Sequence, residues 1–410
     1  MGNKIGIVGA GASGMTAAIA AAKKGADVTL FEKNDRVGKK ILATGNGKCN
    51  LSNLEFDLDQ YYCEDKKKLQ KQFDLFPVWE TLSFFESMGL MVKDKNGYIY
   101  PYSEQASTVL DILRIELDRC RIKIITDTEV TGAVYSDERR KFQLRDKNGK
   151  NYFFDRVILA CGSPASLKKG EGKTGYELAR YLGHKIKPMV PGLVQLKSDD
   201  SFIKALKGVR CQADIKLIID GQNAACERGE LQFTEYGISG IPVFQISRIA
   251  AYALQKNRSV NVVVNFFPEQ EEKMFAYVCR LRYETMSDKT LEEYLVGTQN
   301  KKINMIMIKQ ADLKPEMSAK EAGWKKIWAM MQNYQAFPIH ISGVNSMDKA
   351  QVCAGGVDYA QVSVSLQSEL VEGLYFAGEM LDVDGKCGGY NLQWAWTSGY
   401  IAGVNAAEAN

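Results

Sequence analysis

A chain of 410 residues is long enough for two or three domains of about 150 residues and for a substantial core. Hydrophobic residues at 45% and charged residues at 25% exclude wholesale disorder, collagen and disulfide-held miniproteins. Lys and Arg number 53 against 49 Asp and Glu, and the resulting charge of +4 is too small to make the whole surface a nucleic-acid or membrane footprint.

Lys4–Val8 reads as a short buried strand, Ser13–Lys24 as an Ala-rich helix stopping at Gly25, and Asp27–Phe31 as a second strand, giving one βαβ unit. After a loop from Asn34 to Asn53, amphipathic helices are expected over Asp65–Met88, with Pro77 opening the second, and over Glu104–Arg119 behind a Ser103 cap. Glu129–Tyr135, Lys141–Arg145 and Tyr152–Phe154 alternate in polarity between turn residues and read as a three-stranded antiparallel meander. Arg156–Cys161 is a further buried strand before Gly162, and Tyr176–Leu182 a short helix. Pro188 and Pro191 punctuate a change of style. β-type segments follow at Gly208–Ile219 and Leu231–Thr234, then a helix over Pro242–Gln255, and Glu269–Gln332 is mostly helical. Strands return from Phe337 through Leu374–Ala377, and a helix from about Asn391 to Ala407 closes the chain. The expected class is α/β: a discontinuous Rossmann-like nucleotide domain with a β-meander, residues 1–185 and 341–410, carrying an inserted substrate or lid domain, residues 186–340, of β segments followed by helices.

Gly9-Ala10-Gly11-Ala12-Ser13-Gly14 is a G-x-G-x-x-G between a strand and a helix, the context in which this pattern binds a dinucleotide. Gly9 permits the tight turn, Gly11 lets the backbone approach a pyrophosphate, and Gly14 lets helix and strand pack closely, while the helix start offers N–H donors. Glu32 ends the second strand, where its carboxylate can accept from adenosine ribose hydroxyls. NAD and FAD both fit this fingerprint. Gly170-Glu171-Gly172-Lys173-Thr174-Gly175 repeats the pattern without a strand directly before it, so no separate NAD(P) domain is expected. Nine cysteines without a C-x-x-C point to reduced thiols, and two histidines cannot build a His-rich metal site. With no apolar run long enough to span a bilayer, the expectation is an untargeted cytoplasmic chain.

Three ordered motifs favour FAD: the segment Glu32–Lys40, the meander followed by Val157–Ser163, and Gly373-Leu374-Tyr375-Phe376-Ala377-Gly378-Glu379. They resemble the two-dinucleotide-binding-domain flavoproteins, in which the late acid contacts the ribityl chain; Cys161 stands where Thr is common. A closer resemblance runs through Thr44–Asn53, Gly229–Gly240 and Leu381–Trp396. It is to the FAD-dependent oxidoreductase family that includes aminoacetone oxidases and BaiN-type reductases of dehydro bile acids. Two departures are Lys48 in place of the family's usual Arg and Asn46 in place of a second Gly. The loop Gly45–Asn53 offers backbone N–H groups to the flavin or its pyrophosphate. Gly388-Gly389 before a helix would aim free N–H groups and a positive dipole end at a ligand such as the flavin N1–C2=O edge.

The motif readings and the resemblance together give a noncovalent FAD site of Gly9, Gly11, Ala12, Ser13, Gly14, Glu32, Lys33 and Lys40. It continues with Gly45, Asn46, Gly47, Cys49 and Asn50, then Val130, Ala160 and Gly162, then Gly378 and Glu379, and ends with Gly389, Asn391 and Leu392. Cys49 and Cys387 read as packing residues rather than redox partners. The active site is expected between flavin and inserted domain, near Thr234–Gly240, with Tyr236 as the candidate catalytic residue that contacts substrate. The implied activity is hydride transfer between flavin N5 and a small organic substrate, as an enone-type reductase driven by external NAD(P)H or another donor, or as an amine or aminoketone oxidase. The alternatives are a flavin-dependent RNA-modifying protein and a non-catalytic FAD-binding protein. The near-neutral charge disfavours RNA, and the expected partner is a small molecule, with no nucleic acid and no membrane.

Overall fold

The structure, a computed structural model, describes residues 2–136, 138, 140–168 and 170–408. It divides into two compact units, Met1–Val190 with Gln351–Asn410, and Pro191–Ala350.

In the first unit, strand β1 (Lys4–Val8) is followed by helix α1 (Ala12–Lys23) and strand β2 (Asp27–Phe31). These strands lie in a five-stranded parallel sheet in the order Leu374–Phe376, Arg156–Leu159, β1, β2, Lys123–Ile125. Covered on both faces, β1 is apolar throughout except at Lys4, which is how central parallel strands read. Val130–Ser136, Lys141–Asp146 and Asn151–Phe154 form the antiparallel meander. Gly6 leaves room for the meander: a Cβ there would stand 2.6 Å from the Phe154 ring.

The closing helix Tyr390–Glu408 packs along α1 at backbone distance. Its Gly399 and Gly403, four apart and so on one face, would place a Cβ 2.4 Å from Ser13 O and 2.3 Å from Ala17 O. The C-terminal segment is thereby held against the turn that carries the first glycine motif. Helix Ala106–Arg119 begins at a Gln105 cap without a side-chain bond, not behind Ser103, whose Oγ bonds Thr108 Oγ1 instead. A small antiparallel sheet, Ser52–Asn53, Tyr98–Pro101 and Val92–Lys95, lies between the 3₁₀ turns at Lys39–Gly47 and that helix in chain order.

The second unit is built on a seven-stranded sheet in the order Phe337–His340, Val260–Asn265, Arg210–Ile219, Gln222–Phe233, Gly237–Ser239, Leu196–Lys197, Gly343–Val344. Helices Ile241–Gln255, Glu272–Met286, Lys301–Gln310 and Trp324–Asn333 complete its core around Ile215, Leu217, Phe233, Val262, Ile246 and Tyr334. The strand Gln222–Phe233 is longer than its sequence pattern implies, because its first half is mostly exposed and carries no apolar–polar alternation. The hairpin turn Asp220-Gly221, both residues at positive φ, sets its register against Arg210–Ile219.

The breaks between units fall later than residues 185 and 340. Strand Ile186–Gly192 pairs with Val352–Val357, which ties residues 186–190 to the first unit, and Gly343–Val344 pairs with Leu196–Lys197, which ties it to the second. Pro188 and Pro191, which punctuate the change of style, both lie inside the strand Ile186–Gly192. A two-stranded ribbon has outward edges on which a missing N–H is tolerated.

Candidate functional site

β1 leaves the sheet at Val8 and turns into α1 through Gly9, at φ +102°. A Cβ at Gly9 would lie 2.4 Å from Ala160 O, and one at Gly14 1.9 Å from Gly9 O, so both positions are glycine because protein backbone approaches them. Gly11 differs: its backbone is extended, φ −84° and ψ −165°, and a Cβ there meets nothing within 4 Å. A Cβ on Gly162, at φ +69° and two residues beyond Ala160, likewise meets nothing within 4 Å, and the Ala160 N–H donates to Val8 O at 2.9 Å. Among the described residues no side chain caps α1. The first-turn amides of Ala12, Ser13 and Gly14 therefore face this space with no intrahelical acceptor and with the positive end of the helix dipole behind them. The cradle fits the pyrophosphate of a dinucleotide such as FAD.

Glu32 is buried at the end of β2. Its Oε2 accepts from Ala10 N at 3.0 Å, and its Oε1 from Asn34 N at 3.0 Å and Asn34 Nδ2 at 2.5 Å. A carboxylate has about four acceptor positions, so one remains for a ribose hydroxyl. Lys33 approaches Glu171 at 4.0 Å. Val130 is buried where the meander begins, two residues after Thr128, whose N–H donates to Glu32 O at 2.9 Å.

Glu379, expected at the ribityl chain, has partners on both oxygens: Lys40 Nζ at 2.7 Å on Oε2 and Cys353 N at 2.8 Å on Oε1. Gly378, at φ +73°, is pinned by Ser398 Oγ, which accepts its N–H at 2.8 Å, and by Trp394 Nε1, which donates to its carbonyl at 3.2 Å. A Cβ on Gly378 would lie 2.4 Å from Ser13 Oγ, so the late motif packs directly on the first.

The segment expected as an open loop is wound into 3₁₀ turns over Lys39–Gly47, broken where Gly45 and Asn46 turn left-handed at φ 56° and 54°. Gly47 follows at φ +81°. Cys49 is fully buried, and burial pushes its thiol up to about 11. Cys161 is raised likewise to about 12, so both stay protonated at neutral pH and neither is poised as a thiolate.

Two expectations for the C-terminal motif change. Gly389 is glycine because a Cβ would lie 2.6 Å from the Ser52 backbone, and its N–H is accepted by the Asn50 side-chain oxygen at 3.1 Å, with the Asn50 amide oriented toward Ser52 O and Ile99 O. It is not free for a ligand. Asn391 turns its side chain back onto the preceding turn, accepting from Gly385 N at 2.9 Å and donating to Gly385 O at 2.7 Å. Its role is to hold that turn, leaving the remaining first-turn amides of the closing helix, including that of half-buried Leu392, as the donors there.

Two side-chain networks have no counterpart in the sequence patterns. Ser52 Oγ donates to Gln393 Oε1 at 2.7 Å, and Gln393 Nε2 donates to Thr81 and Thr397 hydroxyls at 2.8 and 2.9 Å. Lys187 Nζ stands 2.5 Å from Glu64, 3.3 Å from Asp358 and 3.5 Å from Asp382. Gln393 and Asp382 lie within the quoted motifs, whereas Lys187 carries no local pattern. Tyr236 lies in the second unit, in the tight turn closed by Thr234 N to Gly237 O at 2.8 Å. Its side chain is 36% exposed, and its hydroxyl has no partner among the described residues. Among the described residues no His, Cys, Asp and Glu group suits a metal ion, and no helix is long and apolar enough to cross a membrane.

The chain matches the HI0933-like protein Rossmann domain over residues 3–405. It is 43% identical to the 3-dehydro-bile acid delta(4,6)-reductase of Clostridium scindens over 99% of both chains. It is 29% identical to the ribosomal RNA dihydrouridine synthase of Haemophilus influenzae over 98% of both. In fold it is similar to the 3-ketosteroid delta1-dehydrogenase of Sterolibacterium denitrificans, with a TM-score of 0.54 and 11% identity over the whole of each chain. With the cradle at Gly11 and full-length matches in hand, the chain belongs to the HI0933-like Rossmann-domain family and is an FAD-dependent oxidoreductase.

Proposed function

We propose that the protein reduces a conjugated enone on a small, flat, acidic substrate of the bile-acid type, drawing its electrons from NADH or NADPH. The observation that carries this reading is the 43% identity, spread over the whole chain, to a reductase acting on a 3-dehydro bile acid. When bound, FAD supplies a carrier that takes two electrons from the donor and returns them to the carbon–carbon double bond as hydride, with a proton completing the saturated product. The chain's own contribution is binding and electrostatics. Gly11, Gly162 and the first-turn amides of α1 would hold the pyrophosphate and Glu32 a ribose hydroxyl, and the amides at the start of the closing helix would stabilise negative charge brought to them. Tyr236 is kept as the candidate catalytic residue, its hydroxyl having no partner among the described residues.

The test is anaerobic incubation of FAD-loaded protein with a 3-oxo-Δ4,6 bile acid and either NADH or NADPH, following loss of the dienone absorbance, then admission of air to score peroxide. Dienone loss under anaerobiosis is the expected result. Rapid peroxide formation with an aminoketone and no dienone loss overturns the reading in favour of an oxidase. Dihydrouridine formed in an unmodified ribosomal RNA transcript overturns it in favour of the activity named for the 29% relative.

A further inference from the structure

The hairpin Val92–Lys95 and Tyr98–Pro101 has two unlike faces. Its register sets Lys93 opposite Tyr100 and Lys95 opposite Tyr98, and successive side chains on a strand alternate sides. One face turns Ile99 and Pro101 into the core. The other carries Tyr98, Tyr100 and, just beyond the strand, Tyr102, interleaved with Lys93 and Lys95. Lys93 lies over the Tyr102 ring at 5.3 Å and Lys95 over the Tyr100 ring at 5.9 Å.

This face borders the flavin motifs directly. The Tyr100 ring is 3.7 Å from where a Cβ of Gly45 would stand, and the Tyr98 ring 2.9 Å from that of Gly388. Its charge is unbalanced. Glu104, at φ +53°, is met by Lys93 and Lys95 at 2.6 Å each and by Lys48 at 3.0 Å, so three ammonium groups share one carboxylate. Two positive charges are left over beside exposed tyrosine rings, Tyr102 at 63% and Tyr98 at 41%. Flat apolar surface joined to surplus cations suits a flat ring system that ends in an anion.

We propose that this tyrosine–lysine face binds the carboxylate end of the enzyme's acidic ring substrate, with the rings against Tyr98 and Tyr102 and the carboxylate shared by Lys93 and Lys95. The assignment rests on the reductase reading for the identity of the substrate, but its test needs no turnover. Cholate is already saturated and serves as the probe. Its binding to FAD-loaded protein is measured by titration calorimetry against that of its methyl ester. Wild type is expected to favour cholate; Lys93→Gln with Lys95→Gln weakens cholate by about tenfold while ester binding and FAD content stay unchanged. Glu104→Gln, which frees the lysines from their counter-ion, tightens cholate, a direction that loss of a merely structural contact does not produce. Equal change for acid and ester, no change at all, or loss of FAD in the double variant overturns the proposal. Failure of dienone reduction with these binding results intact would sink the reductase reading alone.

Discussion

Replacing Gly11 and Gly14 separately with alanine divides ligand from protein. At Gly11 the new methyl enters empty space and the extended backbone accepts it, so the protein loses only what alanine costs at a helix cap, about 1 kcal/mol. In a unit of this size that lowers the apo melting temperature by about 2–4 °C. The methyl does, however, stand where the pyrophosphate must approach, and an obstruction of one carbon is worth about 1–3 kcal/mol, or roughly 5- to 150-fold in FAD affinity. At Gly14 the Cβ would lie 1.9 Å from Gly9 O, which forces α1 away from the turn and costs about 3 kcal/mol or more before any ligand is considered. Scanning calorimetry of apo protein and FAD titration by fluorescence quenching measure the two quantities separately. Gly11→Ala should bind FAD weakly at a nearly normal melting temperature, and Gly14→Ala should fail in both. Wild-type FAD affinity in Gly11→Ala would refute the placement of the cofactor over the helix start.

Gly403→Leu drives a side chain toward Ala17 O, 2.3 Å from the Cβ position, and should destabilise by about 3 kcal/mol or more and release FAD, read by the same two assays. His184 is buried against Phe376, with Nε2 on Ser368 Oγ at 2.8 Å, and burial lowers its pKa from 6.5. Above pH 6.5 folded and unfolded forms are both neutral there; as pH falls the unfolded chain takes up the proton first, so stability should drop below about pH 6.5. In His184→Gln, urea unfolding at pH 5 and 7 should lose that part of the difference. Asn391→Ala removes both bonds to Gly385 and should weaken FAD by about tenfold or lower the flavin potential, with the fold intact in near-UV dichroism. Tyr236→Phe breaks no bond among the described residues and should lose turnover with full FAD content; an unchanged rate would remove Tyr236 from the active site.

What the sequence determined by itself was local. A strand, three spaced glycines, an Ala-rich helix and a carboxylate 18 residues after Gly14 are each set by near-neighbour geometry, so the βαβ start, the cradle and the meander were readable residue by residue. The late motifs were readable as strings, but their meaning was not. Lys40 meets Glu379 across 339 residues, Asn50 takes the Gly389 amide, and Asn391 serves its own turn rather than a ligand. A glycine beside open space and one pressed against backbone look identical in a string, and only the atoms packed around them separate Gly11 and Gly162 from Gly389. The lysine excess around Glu104 and the buried Lys187 cluster were equally invisible, because charge balance is struck between groups that pairing brings together and not between neighbours along the chain. Burial and electrostatic partnership depend on distance in space, which the chain fixes only once its strands are in register.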